Sequence, residues 1–481
     1  MKSSPLRLAM LASMVAVLAA CASDGGISSH AKLAQPDTLG AAPVAARGNA
    51  APAEGFWRSL GDPQLNALID EALADSPSLR IADARIRRAQ AITGVAQSAT
   101  MPTLGLDADT TQQRLSENWI YPPPLAGAHR TDNRVAWDAG LELDLWGKYR
   151  AALKGAEAQQ AASEVEAKAA RISLATSIAR AWIEFDRLFR QHDQINRMIA
   201  TREDIERLQA IRIKAGLDAE FDRNAQQQGT AALKTERAQI EERIGLQRDL
   251  LAALAGKGPE RGAKLTRPQL PDRLDAGLPS ELPSDLLANR PDVTLSRLHV
   301  EAAARAVDVS HASFYPTVNL KAFLGFQSIG IENLFESAAR IYGIGPSIRI
   351  PIFEGGRLRA DLGVKQADYD AAVEQYNATL VDALREVTDQ ARSLDGAEQQ
   401  GKSAEEAVAA ARHGASLVEA RVRQRLSSRI QLLGAQMQVL THERVDIDLH
   451  ARRLDAAISL SRALGGGFTP DNNPFTQTAA Q

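Results

Sequence analysis

The sequence predicts a mainly helical protein that carries four membrane-crossing β-strands. Three observations predict it. Two long stretches lack proline, four segments alternate strictly between apolar and polar residues, and the combination occurs twice along the chain. Composition narrows the class first. The 481 residues are 44% hydrophobic and 24% charged, which excludes disordered and collagen-like chains. A net charge of −3 leaves no basic excess for nucleic acid. Cys21 is the single cysteine, so intrachain disulfides and cysteine-based zinc or iron–sulfur sites are excluded. The eight histidines are scattered without an HExxH spacing. No metal and no cofactor is expected.

The N-terminus reads as an export signal. Lys2 and Arg7 precede an apolar stretch, Leu8 to Ala20, that is broken only by Ser13. It is too short for a membrane span, which needs roughly 20 residues, but it suits a signal peptide. The stretch ends Leu18-Ala19-Ala20-Cys21 and resembles a bacterial lipobox, in which the cysteine sulfur is diacylated and becomes the mature N-terminus. Ala22 follows instead of an aspartate that favours inner-membrane retention, which points to the outer membrane. Residues 1–20 are therefore assigned as the signal peptide and 21–55 as a lipidated tether rich in Ala, Gly, Ser and Pro.

No proline occurs from Leu125 to Gly258, nor from Ile352 to Thr469. A proline inside a helix costs about 3 kcal/mol, so these stretches predict long helices. Ile172, Ala175, Ile178, Ala179, Trp182 and Phe185 recur at helical spacing, as do Val373, Tyr376, Leu380, Leu384 and Val387. Lys148 to Ala215 taken as one helix is about 100 Å long at 1.5 Å per residue. That suits a protein crossing the periplasm.

A pair of alternating segments precedes each helical block. Val135, Trp137, Ala139, Leu141, Leu143 and Leu145 alternate with Asp138, Glu142 and Asp144. Pro102 to Gln112 alternates more weakly, with Leu104, Leu106 and Ala108 opposite Asp107 and Asp109. In the second half Val318, Leu320, Ala322, Leu324 and Phe326 form one such side, and Tyr342, Ile344, Ile348 and Ile350 another. Each segment has about the 9–11 residues that a tilted strand needs to cross a bilayer. Ser116 to Arg130 and Ser328 to Arg340 read as the long loops within each pair.

The two halves repeat. Gly147-Lys148-Tyr149-Arg150-Ala151 matches Gly356-Arg357-Leu358-Arg359-Ala360, and Arg212-x-Lys214-x-x-Leu217 matches Arg421-x-Arg423-x-x-Leu426, both at an offset of 209. Four strands cannot close a membrane barrel, because open edges in lipid leave backbone groups unsatisfied. Closure needs several chains. Two would fill their interior with side chains and three would leave a pore; the residues alone do not choose.

The motifs taken together resemble one family. They are Glu142-Leu143-Asp144-Leu145-Trp146-Gly147-Lys148, then Leu282-Pro283-Ser284-Asp285-Leu286-Leu287 with Arg290-Pro291-Asp292. Phe314-Tyr315-Pro316-Thr317, Pro351-Ile352-Phe353-Glu354-Gly355-Gly356-Arg357 and Ala463-Leu464-Gly465-Gly466-Gly467 follow. The chain is similar to TolC-like outer-membrane efflux factors, in the NodT-type branch of efflux lipoproteins. The resemblance implies a homotrimer with a twelve-stranded outer-membrane barrel, four strands per chain. A long α-helical periplasmic barrel continues it, with an equatorial α/β belt. It also implies two partners, a periplasmic adaptor protein and an inner-membrane pump. Residues 56–270 and 271–467 are then the two efflux repeats and 468–481 a C-terminal tail. Segments 56–80, 256–290 and 463–481 are assigned to the belt.

The motif residues have local structural roles. Trp146 closes a strand where its ring can be half wet. Gly147, Gly355 and Gly356 sit where strand turns to helix. Pro351 lacks an N–H and fits a strand end. The family's periplasmic aperture lies at the turns between its coiled helices, and two sites match. One is Ala215 to Asp222, with Asp218, Glu220 and Asp222. The other is Arg425 to Gly434, preceded by Arg421 and Arg423 and containing Arg429 and Gln431. The opposite charges are expected to clasp neighbouring tips in a closed gate. Exposed ion pairs are individually weak, so an adaptor can still open it. Gln431 and Gly434 stand where many relatives carry carboxylates, which leaves Asp222 as the candidate for a lumen ring.

Two other functions compete. A periplasmic lipoprotein enzyme needs a nucleophile, metal or nucleotide site, and neither a P-loop nor a GxSxG motif occurs. A coiled-coil spacer accounts for the helices and leaves the four strands unexplained. A passive duct for small toxic compounds accounts for both. The Tyr121-Pro122-Pro123-Pro124 loop resembles that of members paired with major-facilitator or aromatic-acid exporters.

Overall fold

Two helices of 67 residues each, α3 (Lys148–Lys214) and α7 (Arg357–Arg423), dominate the chain. The computed structural model describes residues 26–34, 54–272, 274 and 290–469. Cys21 and the Leu282–Leu287 motif lie outside these. A turn of 3₁₀ helix at Phe56–Leu60 leads into α1 (Pro63–Asp75) and α2 (Pro77–Ser98). Strands β1 (Thr103–Arg114) and β2 (His129–Leu143) precede α3, and α4 (Glu220–Leu254) follows it. After the short α5 (Pro259–Ala263), the second half repeats the order: α6 (Pro291–Ala312), β3 (Thr317–Ile329), β4 (Arg340–Arg349), α7 and α8 (Arg429–Ala463). The sequence placed α3 to within one residue at its C-terminal end. Strand β2 starts six residues earlier than its alternation predicted and stops at Leu143, because Asp144 leaves the ladder to serve the next helix.

The chain divides into two units, which cut across the repeats. Of the described residues, the first comprises 26–33, 85–163 and 296–376. It holds a single antiparallel sheet in the order β1-β2-β3-β4, with the repeats meeting at β2 and β3. Register aligns Leu106, Trp137, Leu324 and Tyr342 across all four strands, and likewise Leu104, Ala139, Ala322 and Ile344. One sheet face is therefore continuously apolar and still exposed; Tyr342 is 81% and Ile344 77% accessible. The opposite face carries Asp107, Asp109, Arg134, Asp138 and Lys321, with Arg134 bonded to both oxygens of Asp138 at 2.7 Å. Below the sheet the helices approach closely through small residues. Ala158 and Ala162 are buried, and a Cβ on Gly155 would stand 3.3 Å from the Arg305 side chain.

Of the described residues, the second unit comprises 34, 54–84, 164–272, 274, 290–295 and 377–469. Its core packs Trp182, Phe185, Leu188 and Ile195 of α3 on Leu65, Leu68 and Ile69 of α1, Leu251 of α4, and Leu454 and Ile458 of α8. The helical spacing read from Ile172 to Phe185 is the stripe that fills this core. A second cluster joins Val387, Ala391 and Leu394 of α7 to Ala456, Ala457 and Leu460 of α8. No helix among the described residues is long and apolar enough to cross a membrane.

Candidate functional sites at the strand-to-helix junctions and hairpin tips

At the first junction Trp146 stacks on Tyr315, with ring centroids 4.7 Å apart and planes 19° from parallel. Its Nε1–H donates to the Pro316 carbonyl at 2.8 Å. Gly147 follows with φ 78°, a left-handed backbone that a side chain resists. This turn lets Asp144 reach back to the start of α3, where its carboxylate accepts from the Tyr149 and Arg150 amides at 3.2 and 2.9 Å. Those amides belong to a first turn with no intrahelical acceptor, and the negative charge suits the positive end of the helix. Glu142 also lies beside Tyr149; burial, then these carboxylates, push the phenol up to about 12.

The second junction uses other residues for the same bend. Pro351 follows the last residues of β4, and Gly355 and Gly356 are both left-handed, with φ 58° and 83°. Glu354 accepts from Arg357 Nε at 2.8 Å and Nη2 at 2.6 Å. Ile352 and Phe353 stand outward at 67% and 88% accessibility. Trp146 and Tyr315 at the first junction are exposed as well.

The two hairpin tips share one backbone solution. At the first, the Gly216 amide donates to Ile213 and the Leu217 amide to Arg212, both at 2.9 Å. At the second, the Arg425 amide donates to Val422 at 2.9 Å and the Leu426 amide to Arg421 at 2.8 Å. Each is a Schellman closure around a left-handed residue. Arg425 takes that conformation with φ 62°, the only non-glycine residue to do so among the described residues.

The tip charges are distributed as follows. Asp218 accepts from Arg212 Nε at 2.8 Å and Nη2 at 2.9 Å, within its own turn. This hydrogen bond and the Arg212 charge hold the Asp218 carboxyl below the ordinary carboxylate range. Glu220 pairs with Arg223 one turn along α4 at 3.1 Å. Arg421, Arg423, Arg425 and Arg429 form no ion pair with other described residues of the chain. The side chain of Asp222 lies outside the described residues. Gln431 closes its own helix end, where its Oε1 accepts from the Ser428 amide at 2.9 Å and its amide donates to Ser428 Oγ at 3.2 Å. That is a complete capping box, signalled by the Ser-x-x-Gln spacing. Ala219, the equivalent cap of α4, has no side chain to offer.

Two buried polar hubs gather partners that the sequence does not reveal. Asp62 caps α1 and also accepts from Trp182 Nε1 at 3.0 Å and the Gln269 amide at 2.8 Å. Arg290 is buried and donates to Asp292, to Glu386 of α7 and to the Ala463 carbonyl at the end of α8. The Arg-Pro-Asp motif is thus a clamp in the second unit. No group of three or more His, Cys, Asp or Glu suited to a metal occurs among the described residues.

Comparison with known proteins adds the following. A family model described as outer membrane efflux protein matches the chain twice, over residues 68–256 and 282–466. The multidrug resistance outer membrane protein MdtP of Escherichia coli strain K12 is 30% identical over 421 residues, covering 86% of each chain. The fusaric acid resistance protein FusA of Burkholderia cepacia is 36% identical over 370 residues, covering 75% of this chain and 69% of its own. The crystal structure of the outer membrane protein VceC of Vibrio cholerae aligns with a TM-score of 0.79 at 35% identity, over 87% of this chain and 100% of that one.

Proposed function

The chain belongs to the outer membrane efflux protein family, and from that premise we propose that three copies form one passive duct that takes small toxic compounds from a periplasmic adaptor and an inner-membrane pump. It is an outer-membrane efflux channel that extends into the periplasm, and not an enzyme. One observation supports closure by several copies. The sheet of each chain has two unpaired edges, β1 and β4, and an exposed apolar face. In lipid those edges cost several kcal/mol per unsatisfied group, so β1 of one copy pairs with β4 of the next. Three copies give twelve strands and an open lumen lined by the polar sheet face.

The double match of the family model supports reading residues 56–270 and 271–467 as two efflux repeats. The tips at Gly216 and Arg425 form the periplasmic aperture, and the arginines of one tip face the carboxylates of the next. Cys21 carries the lipid anchor. Cargo is small organic toxicants, with organic acids among them; the relative named for fusaric acid resistance supports this class. Electron microscopy of the detergent-purified protein tests the duct. A three-fold tube longer than about 100 Å, set by the helix rise, is expected; a compact globule or a thin rod without a barrel cap overturns it. A Cys21→Ser protein should still need detergent for extraction.

A further inference from the structure

Phe323 lies on the polar face of the sheet, out of step with the outward apolar residues of β3. Its register partners are Asp138 on β2 and Gly343 on β4. The ring covers Gly343: a Cβ built there would stand 2.6 Å from Phe323 Cε1 and 2.7 Å from Cζ. Phe323 is nonetheless 39% accessible. Ile341, diagonal to it on β4, extends the apolar patch on this face. An apolar ring seated on a glycine and open to water on a polar face fills no core of its own sheet.

Lys321 stands two residues before Phe323 on the same face, about 7 Å away. Its register partners are both glycines, Gly140 and Gly345, so no side chain directly opposite shades its ammonium. Lys321 is exposed and forms no ion pair with other described residues. Two carboxylates lie diagonal to it on β2, at about 7–8 Å. Both oxygens of Asp138 are taken by Arg134, and Glu142 lies beside Tyr149. Strand β4 carries no acidic residue. An open aromatic ring and an unpaired cation thus stand side by side.

We propose that Phe323 and Lys321 form a station for aromatic carboxylates on the inner wall of the barrel, where the ring of the cargo stacks on Phe323 and its carboxylate pairs with Lys321. The proposal rests on the duct reading, which turns the polar sheet face to the lumen, and it names the cargo class that this wall favours. Flat rings stack on a phenyl group in offset geometry, and the flexible lysine stem lets the ammonium meet a carboxylate on the cargo. Each contact is weak when exposed, so the station detains cargo without trapping it. Both residues belong to β3, an inner strand, so every chain carries a complete station.

Equilibrium dialysis of 2-naphthoate against the detergent-purified full-length protein tests the station. Uptake above that of empty micelles should saturate. Phe323→Leu and Lys321→Gln should each weaken it by about five-fold, the size of one ring contact or one exposed ion pair. Phe323→Tyr and Lys321→Arg keep the ring and the charge and should retain binding, which separates a lost contact from a lost fold. Cyclohexanecarboxylate and 2-naphthylmethanol, which lack the aromatic ring and the charge respectively, should bind the parent more weakly by a similar factor. Uptake that does not saturate, or that is equal in the parent, Phe323→Leu and Lys321→Gln, overturns the station. A charged thiol reagent applied to cell membranes, with the parent as blank, tests the face itself. It should label Lys321→Cys and spare Leu320→Cys. The reverse pattern overturns the duct reading of this face, and the station then has no cargo to meet even if naphthoate binds.

Discussion

Gly216 and Arg425 hold the same place in the two repeats and the same left-handed backbone, with φ of 72° and 62°. Both let the following leucine amide turn back to the last helical turn. Glycine does this freely, whereas a residue with a Cβ pays roughly 1–2 kcal/mol. The second tip therefore stores strain that the first does not, offset in part by the capping box of Ser428 and Gln431.

Arg425→Gly should relax that tip. The gain is reduced by the greater freedom of glycine in open states, leaving about 0.5–1 kcal/mol. Amide exchange at Leu426 should slow by roughly two- to five-fold, and Gly216→Ala should speed exchange at Leu217. Unchanged rates in both variants would show that neither turn is limited by its backbone angle.

The tip charges predict conductance. Arg425→Ser with Arg429→Ser should raise basal conductance in planar bilayers, because the clasp loses two cations. Asp218 is engaged by Arg212 of its own turn, so Arg212→Gln should free it for the neighbouring arginines and lower conductance. If the double serine variant conducts like the parent, the clasp is refuted.

Asp62 and Trp182 predict stability. Asp62→Ala removes a helix cap worth about 1 kcal/mol and orphans the buried Trp182 N–H, at about 1–3 kcal/mol. The sum of about 2–4 kcal/mol should appear as a lower melting temperature in detergent. Trp182→Phe should cost less than Asp62→Ala, because the carboxylate keeps its amide donors at Gln64 and Gln269.

His450 predicts a pH dependence. It is buried, its Nε2 has no partner, and Arg190 and Arg453 lie near it, with Asp272 the opposing group. Burial first, then the two arginines, lower its pKa from 6.5 to about 4. Between those values the unfolded chain binds a proton that the folded chain refuses. The stability from neutral His450 is complete above pH 6.5 and is lost as pH falls towards 4, by about 3 kcal/mol at most. The drop in melting temperature from pH 7.5 to 5 should shrink in His450→Gln; an unchanged drop would place the effect elsewhere.

Helices and strands are legible because their signals are periodic and local. Proline avoidance bounds α3 and α7, and period-two alternation finds all four strands, since each strand has one face that must be apolar. The turn at Gly216 and the cap at Ser428 are likewise visible as residue types. The partners of charged side chains are not. Charge pattern directs Asp218 towards a neighbouring tip, yet a residue six positions back already bonds it.

Residue order along the chain thus set the elements, their lengths, the repeat and the single cysteine, because backbone preference and solvent partition act over a few residues. Which distant groups meet was left to packing. Asp62 with Trp182, Arg290 with Glu386 and the end of α8, and Ser29 with Asp370 are separated by 120, 96 and 341 residues. No periodicity encodes such pairs; they exist because helix packing and strand register bring those particular atoms within hydrogen-bonding distance.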